Sequence, residues 1–443
     1  MKTIAVILLF NLAPWAAEGG SVSFTRQLAP ILEAKCQACH SEDKAKGGYR
    51  AHTFAAALKA GRSDRPALVP GHPEKSELFQ RLVADDPDDR MPQEDDPLPP
   101  EQIALFKLWI EQGALLDAGS PDTLLSALAP GQDHPAPPEV YPRPLPVLAL
   151  AFSPDGALLA ANGYREITLW TLEGALAGRL TNAPPRVRAL AFHPAGGHLA
   201  AAGGLPGRAG ELSIYNTKAG RFETNLLRMG DEVLAAAFSA DGKYLAASGT
   251  DNAIHIFDWE TRAKLATIRQ HADWVSALDF SADGQRLASA SRDRTARIYR
   301  TLDGTLETTY VAQGSPLSAA VFASPGIVAS GGRGRSIHFW TTEDGRKQSE
   351  IAADGGIHRL IVFEGRLFSA GPDRMVRQHD VAKRELIRTY SGHREAVFAL
   401  AIDSSGQRLA SGSYDGEVRV WDAASGELQH AFYPAPGLKP EVR

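Results

Sequence analysis

The chain has 443 residues, 44% of them hydrophobic and 22% charged, a length that suits two or three domains with a core in each. Its 47 Lys and Arg face 52 Asp and Glu, so a formal net charge of −5 leaves no basic excess for holding nucleic-acid phosphates non-specifically. No uncharged apolar run reaches the roughly 18 residues of a membrane helix, so a soluble protein without a membrane span is expected.

In chain order, Met1-Lys2, the apolar Ile4 to Phe10 and the small residues up to Gly20 follow the charged, apolar and cleavage-region order of a secretory signal. Residues 1–20 are therefore expected to direct export to a periplasmic or other extracytoplasmic space. That setting permits disulfides, yet the chain has 2 cysteines only, Cys36 and Cys39.

Cys36-Gln37-Ala38-Cys39-His40 has the C-x-x-C-H spacing of c-type haem attachment. On a helix, thiols three residues apart share a face and can add to both vinyl groups of one porphyrin, while the adjacent imidazole reaches the iron. One covalent haem c is expected, with Cys36 and Cys39 as thioethers and His40 as proximal ligand. The rival reading, a redox dithiol, lacks the preceding strand of a thioredoxin-like fold and leaves the histidine idle. For the second axial position the methionines are Met1, Met91, Met229 and Met375, and Met91 falls within the same domain. His52 and His72 compete with it, and an open position is a further alternative. Phe24 to Lys35 reads as a helix leading into the motif. Pro99-Pro100-Glu101 opens a second helix, Gln102 to Gln112, with Ile103, Phe106, Trp109 and Ile110 as its apolar stripe and Gly113 at its end.

Residues from about 22 to 117 resemble the cytochrome c-type domains common in planctomycetes and related bacteria. The landmarks are Pro30-Ile31-Leu32, the Cys36 to His40 motif, Gly47-Gly48-Tyr49-Arg50, Val69 to Ser76, Arg90-Met91-Pro92 and Trp109 to Ala114. The resemblance implies a small all-α haem domain, 21–118, in which the Met-Pro methionine, here Met91, is the distal ligand. One departure is Gln93, where the family usually has a second proline.

Gly119 to Pro146 carries 8 prolines in 28 residues without periodicity and reads as a semi-extended linker, 119–145. Beyond it the end of a short alternating strand recurs at Phe152, Phe192, Phe238, Phe280, Phe322, Phe363 and Ile402. A second series follows at Trp170, Tyr215, Phe257, Tyr299, Trp340, His379 and Trp421. The spacing of about 42 residues is that of four-stranded propeller blades. Turn formers such as Ser153-Pro154-Asp155-Gly156 separate the first two strands of a unit. The seventh unit, with His393, Ser411, Asp415, Trp421 and Asp422, resembles the WD-repeat family most fully. An all-β, seven-bladed WD-repeat propeller is therefore expected over 146–434, followed by a tail, 435–443. His393 and Asp415 are read as structural rather than as a catalytic pair. The last blade takes its outer strand either from Gly426 to Tyr433 or from the chain near Val140.

The propeller sequence contains no cysteine, phosphate loop or nucleophile elbow, so it reads as a binding platform for an unknown protein or ligand. Its turns between second and third strands carry Arg165, Arg208, Arg292, Arg294, Arg333, Arg335 and Arg374, on what is expected to be one face. In the other domain, Asp85, Asp86, Asp88, Asp89, Glu94, Asp95 and Asp96 flank Met91 and suit a basic redox partner, although their spacing matches no ordered calcium loop. The whole reads as an exported carrier of single electrons with a partner-binding propeller, and more as an electron-transfer subunit than as an enzyme. A haem-dependent oxidoreductase or small-ligand sensor is the alternative.

Overall fold

A computed structural model describes residues 21–438 of the chain apart from 43, 64, 94–95, 118–119, 129–133 and 312. The expected signal segment, the last five residues, and Glu94 and Asp95 of the acidic stretch lie outside the described residues. The chain divides into two compact units after Pro121.

In the first unit, a single π-helical turn, Phe24–Leu28, capped by the Ser23 hydroxyl, runs into α1 (Ala29–Lys35), with Pro30 in its first turn where no N–H is needed. The expected single helix is thus two stacked pieces. After Cys36 the chain makes one further turn, α2 (Gln37–His40), followed by α3 (Phe54–Ala57) and α4 (Glu77–Leu82). The longest helix, α5 (Pro100–Glu111), starts on its two prolines, and Gly113 follows it at φ 101°. Phe106, Trp109 and Ile110 of α5 are buried as expected, and Ile103 is half-buried. Phe24 meets Phe54 edge-on at 4.8 Å and Trp109 at 5.3 Å, and with Leu28 and Leu32 these rings form the core of the unit. The Asp117 carboxylate accepts from the Thr25 backbone N–H at 2.9 Å and the Thr25 hydroxyl at 3.0 Å, tying the end of the unit to its start.

The second unit is a seven-bladed propeller, each blade a four-stranded antiparallel sheet of consecutive strands. The blades span 150–181, 186–229, 233–268, 275–310, 317–352, 359–390 and 397–432. Every residue of the first recurring series lies in a first strand and every residue of the second in a third strand. The core consists of layers between blades. Leu150, Phe152 and Trp170 of blade 1, for example, pack with Ala401, Ala410 and Val418 of blade 7. Leu428–Phe432 pairs with the third strand of blade 7, so that blade completes itself. The chain near Val140 instead meets the residues after it, the Tyr141 N–H donating to the Pro436 carbonyl at 3.0 Å.

The segment expected as a plain linker is partly docked. It contains α6 (Leu125–Leu128). Leu124 is buried with Leu212, Leu226 and Leu227 of blade 2. The Tyr141 hydroxyl donates at 2.6 Å to Glu166, a fully buried carboxylate that Arg179 also binds through Nε at 2.5 Å and Nη2 at 2.8 Å. Burying one carboxylate among these donors offsets a desolvation cost that a lone charge would not survive. Among the described residues no helix is long and apolar enough to cross a membrane.

Candidate haem cradle and propeller face

The Cys36 N–H still donates to the Leu32 carbonyl at 3.0 Å, and the His40 N–H donates to the Cys36 carbonyl at 2.9 Å. The motif is therefore one helical turn continuing α1, which sets Cys36, Cys39 and His40 along one side of the chain. Gly47 and Gly48, at φ 63° and 76°, then reverse the backbone in a conformation that a side chain would oppose. The reversal returns Tyr49 to the histidine: its carbonyl oxygen lies 3.3 Å from His40 Nδ1, and the two rings meet edge-on at 5.3 Å. The ring orientation is thereby held through one nitrogen, leaving Nε2 as the donor available to a metal. Burial first, and Cys39 second, push the Cys36 thiol up to about 12, far from the depressed thiolate of a redox dithiol.

Met91 arrives from 51 residues further along. Its N–H donates to the Arg81 carbonyl at 2.8 Å at the end of α4, and the Arg81 guanidinium reaches Asp89 at 2.6 Å, bracing the loop from both sides. A cavity of 220 Å³ is lined by Cys36, Cys39, His40 and Met91 together with Leu82 and Pro92. A second, of 470 Å³, shares Cys36, His40, Leu82 and Met91 and extends to Tyr49 and Leu78. His52 and His72 line neither cavity, and His72 Nδ1 instead lies 3.0 Å from the Glu74 carboxylate. The described acidic residues Asp85, Asp86, Asp88, Asp89 and Asp96 are exposed.

In the propeller, the polar residues of blades 4 and 7 are internal braces. His271 Nδ1 lies 2.8 Å from Asp293 and Nε2 lies 2.7 Å from the Ser289 hydroxyl. In blade 7, Ser411 Oγ is 2.7 Å from His393 Nε2 and accepts from Trp421 Nε1 at 2.8 Å. His393, Asp415 and Glu417 bring their ligand atoms within 4.8 Å of one another. The Glu417 carboxylate, however, is taken by Arg419 Nε at 2.6 Å, and Asp415 by the backbone N–H groups of Arg394 and Glu417, so a guanidinium already supplies the positive charge. Blade 5 solves the same problem differently: Gln313 accepts from the Ser330 hydroxyl at 2.8 Å, a substitution the sequence pattern did not reveal.

Among family models, residues 36–95 match Planctomycete cytochrome C, and residues 225–258, 262–300 and 384–422 match the WD domain, G-beta repeat. Similar curated proteins include the U3 small nucleolar RNA-associated protein 15 homolog of Xenopus tropicalis, 30% identical over 46% of this chain and 41% of its own length. The Telomerase Cajal body protein 1 of Bos taurus is 30% identical over 47% of this chain and 42% of its own length. The Ribosome biogenesis protein WDR12 homolog of Chlamydomonas reinhardtii is 28% identical over 24% and 27% respectively. The chain thus spans less than half the length of these relatives. They are named for a nucleolar RNA, a Cajal body and ribosome biogenesis, and none is named as an exported electron carrier. This corrects the expectation of an exported single-electron cytochrome with a redox partner, and with it the oxidoreductase or sensor alternative and the periplasmic location. The fold stands: a seven-bladed WD-repeat propeller follows a small helical domain that matches the planctomycete cytochrome model.

Proposed function

We propose that the chain is a WD-repeat scaffold that docks a protein partner on its propeller and carries one haem c in its N-terminal unit, attached through Cys36 and Cys39. The observation that carries the haem half is the convergence of Cys36, Cys39, His40 and Met91 on the walls of one cavity. The residues fit the group. Two cysteine thiols stand three apart, an imidazole is oriented through its Nδ1, a thioether comes from a braced loop, and the lining between them is largely apolar. When bound, haem would supply an iron centre, which the His40 imidazole and the Met91 thioether would hold. The Tyr49 carbonyl and the Gly47-Gly48 turn fix the imidazole, while Arg81 holds the methionine loop in place.

The scaffold half is supported by a propeller whose His-Ser clusters in blades 4 and 7 are taken up by internal hydrogen bonds that serve the fold. It is supported as well by relatives named as RNA-associated or, for wat1 of Schizosaccharomyces pombe, as a complex subunit. The test is to produce the full chain together with a haem-attachment system and record the pyridine haemochrome spectrum after acidified organic extraction. Haem should stay with the protein and be lost from the Cys36→Ala, Cys39→Ala variant. Wild-type chain free of covalent haem overturns the haem half, and a chain that sediments alone at every dilution in extract of its native cells overturns the scaffold half.

A further inference from the structure

The two faces of the propeller differ in how their charges are used. On one face, the turns joining first to second strands present Asp155, Asp241 and Asp283, each accepting from a nearby serine hydroxyl and a backbone N–H. These carboxylates serve the turns that carry them. The opposite face carries the turns between second and third strands and the connections from each blade to the next. In blades 4 and 5 that face exposes Trp274, Arg292, Arg294, Val311, Arg333 and Arg335. Trp274 is 39% and Val311 66% exposed, large apolar surfaces for positions without a core role. The Arg292 guanidinium lies 4.2 Å over the Trp274 ring and 3.7 Å from Asp273, which holds that ring upright. Asp293 is consumed by His271, the Ala272 N–H and Thr295. Arg294, Arg333 and Arg335 have no ion-pair partner among the described residues, so three guanidiniums are left facing solvent on the same face as two exposed apolar side chains.

The residue after the turn aspartate is left-handed in blades 3, 4, 6 and 7, at φ 63° for Asn252, 72° for Arg294, 69° for Arg374 and 87° for Gly416. Glycine is the residue this conformation favours, and blade 7 has it. Blades 4 and 6 place an arginine there, as the turns between third and fourth strands on the opposite face do with Arg262 and Arg384 at φ 61° and 63°, so the conformation belongs to the turn and does not mark this face.

We infer that this sector of blades 4 and 5 is the docking surface for an acidic protein segment bearing apolar side chains. The carboxylates would meet Arg294, Arg333 and Arg335, and the apolar groups Trp274 and Val311. The inference rests on the scaffold reading above and names the chemistry of its partner. A guanidinium fork matches a carboxylate in two places, and arginine beside an exposed tryptophan is the composition of strong interface sites. A continuous polyphosphate fits less well. Residues 119–443 hold 35 acidic and 34 basic residues, and Asp273 and Asp293 sit beside and within the blade 4 turn.

The test uses the full chain with two labelled probes of equal length, a Glu-rich peptide containing Leu and Trp and a single-stranded RNA, with fluorescence anisotropy at low and high salt. The peptide should bind with salt-sensitive affinity. Arg333→Glu with Arg335→Glu should weaken it by about ten-fold or more, the scale of two lost charge pairs. Trp274→Ala should weaken it at both salt concentrations. Arg346→Glu, in a turn on the opposite face, should leave it unchanged, and far-UV circular dichroism checks that each variant folds. RNA binding more tightly than the peptide, and lost with the same two arginines, overturns the assignment in favour of nucleic acid. A wild-type chain that captures its partner in extract but binds no acidic peptide, and whose capture survives both arginine changes, overturns this surface while leaving the scaffold reading intact.

Discussion

Two histidines inside the propeller make its stability depend on pH in a calculable way. His379, in the third strand of blade 6, is 3% exposed, and burial followed by Arg377 lowers it to about 4. His393 is 7% exposed and is lowered to about 4 by burial and then Arg419, against Asp415, while Glu417 Oε2 stands 3.9 Å from its Nδ1. An unfolded histidine titrates near 6.5. As pH falls below that value the unfolded chain takes up protons that the folded chain refuses, so stability is full above about 6.5, is lost on acidification, and levels off below about 4. At about 1.4 kcal/mol per pH unit for each group, lowering the pH from 7 to 5 costs ~2 kcal/mol per histidine, or ~4 kcal/mol for both. Carboxylates held low by their hydrogen bonds, such as Asp251 and Asp258, begin to matter only nearer their unfolded value, whereas Asp279, raised to about 6 by burial, takes up a proton in the folded chain within this window and offsets part of the loss in wild type and variant alike. Urea unfolding of the propeller, followed by tryptophan fluorescence at pH 7 and pH 5, measures the loss. The His379→Gln, His393→Gln double variant should show most of it removed, the remainder coming from His193, His338 and His358, which burial also lowers. A double variant that loses as much stability as the wild type between these two pH values refutes the assignment.

In the haem-loaded chain, Met91→Ala should leave the haem covalently attached but abolish the near-red charge-transfer band of the oxidised protein. Survival of that band, with a spectral change in a His52 or His72 variant instead, would show the second axial donor to be misassigned. Phe24→Ala removes a fully buried ring that touches both Phe54 and Trp109, and should cost the N-terminal unit about 3 to 5 kcal/mol in chemical denaturation while leaving the propeller transition in place. A single shared loss across both transitions would mean that the two units do not unfold separately.

The repeat beat of the propeller and the Cys36 to His40 turn are visible in the sequence because both are set by local chemistry. Two-residue alternation, turn formers at fixed offsets and a one-turn spacing of thiols and imidazole need no distant partner to be recognised. The same holds for α5, whose prolines, apolar stripe and terminal glycine each act within a few residues of their place in the chain. Tertiary structure decided the remainder. That Met91 rather than His52 or His72 lines the cavity depends on the Arg81 carbonyl and the Asp89 ion pair, contacts that fold the loop back on the end of α4 and so present it to Cys36 and His40, residues far from it in sequence. Self-completion of blade 7 is a choice between two segments of similar strand character, made by pairing of Val418 to Trp421 with the strand that follows them. The Pro-rich stretch carries no periodicity, yet Tyr141 is docked because Glu166 must be buried and needs donors. Which arginines are left free is equally a matter of long-range geometry. Arg179, in a fourth strand, and Arg333, in a turn, carry the same guanidinium, and only the fold spends one on a buried carboxylate and leaves the other at the surface.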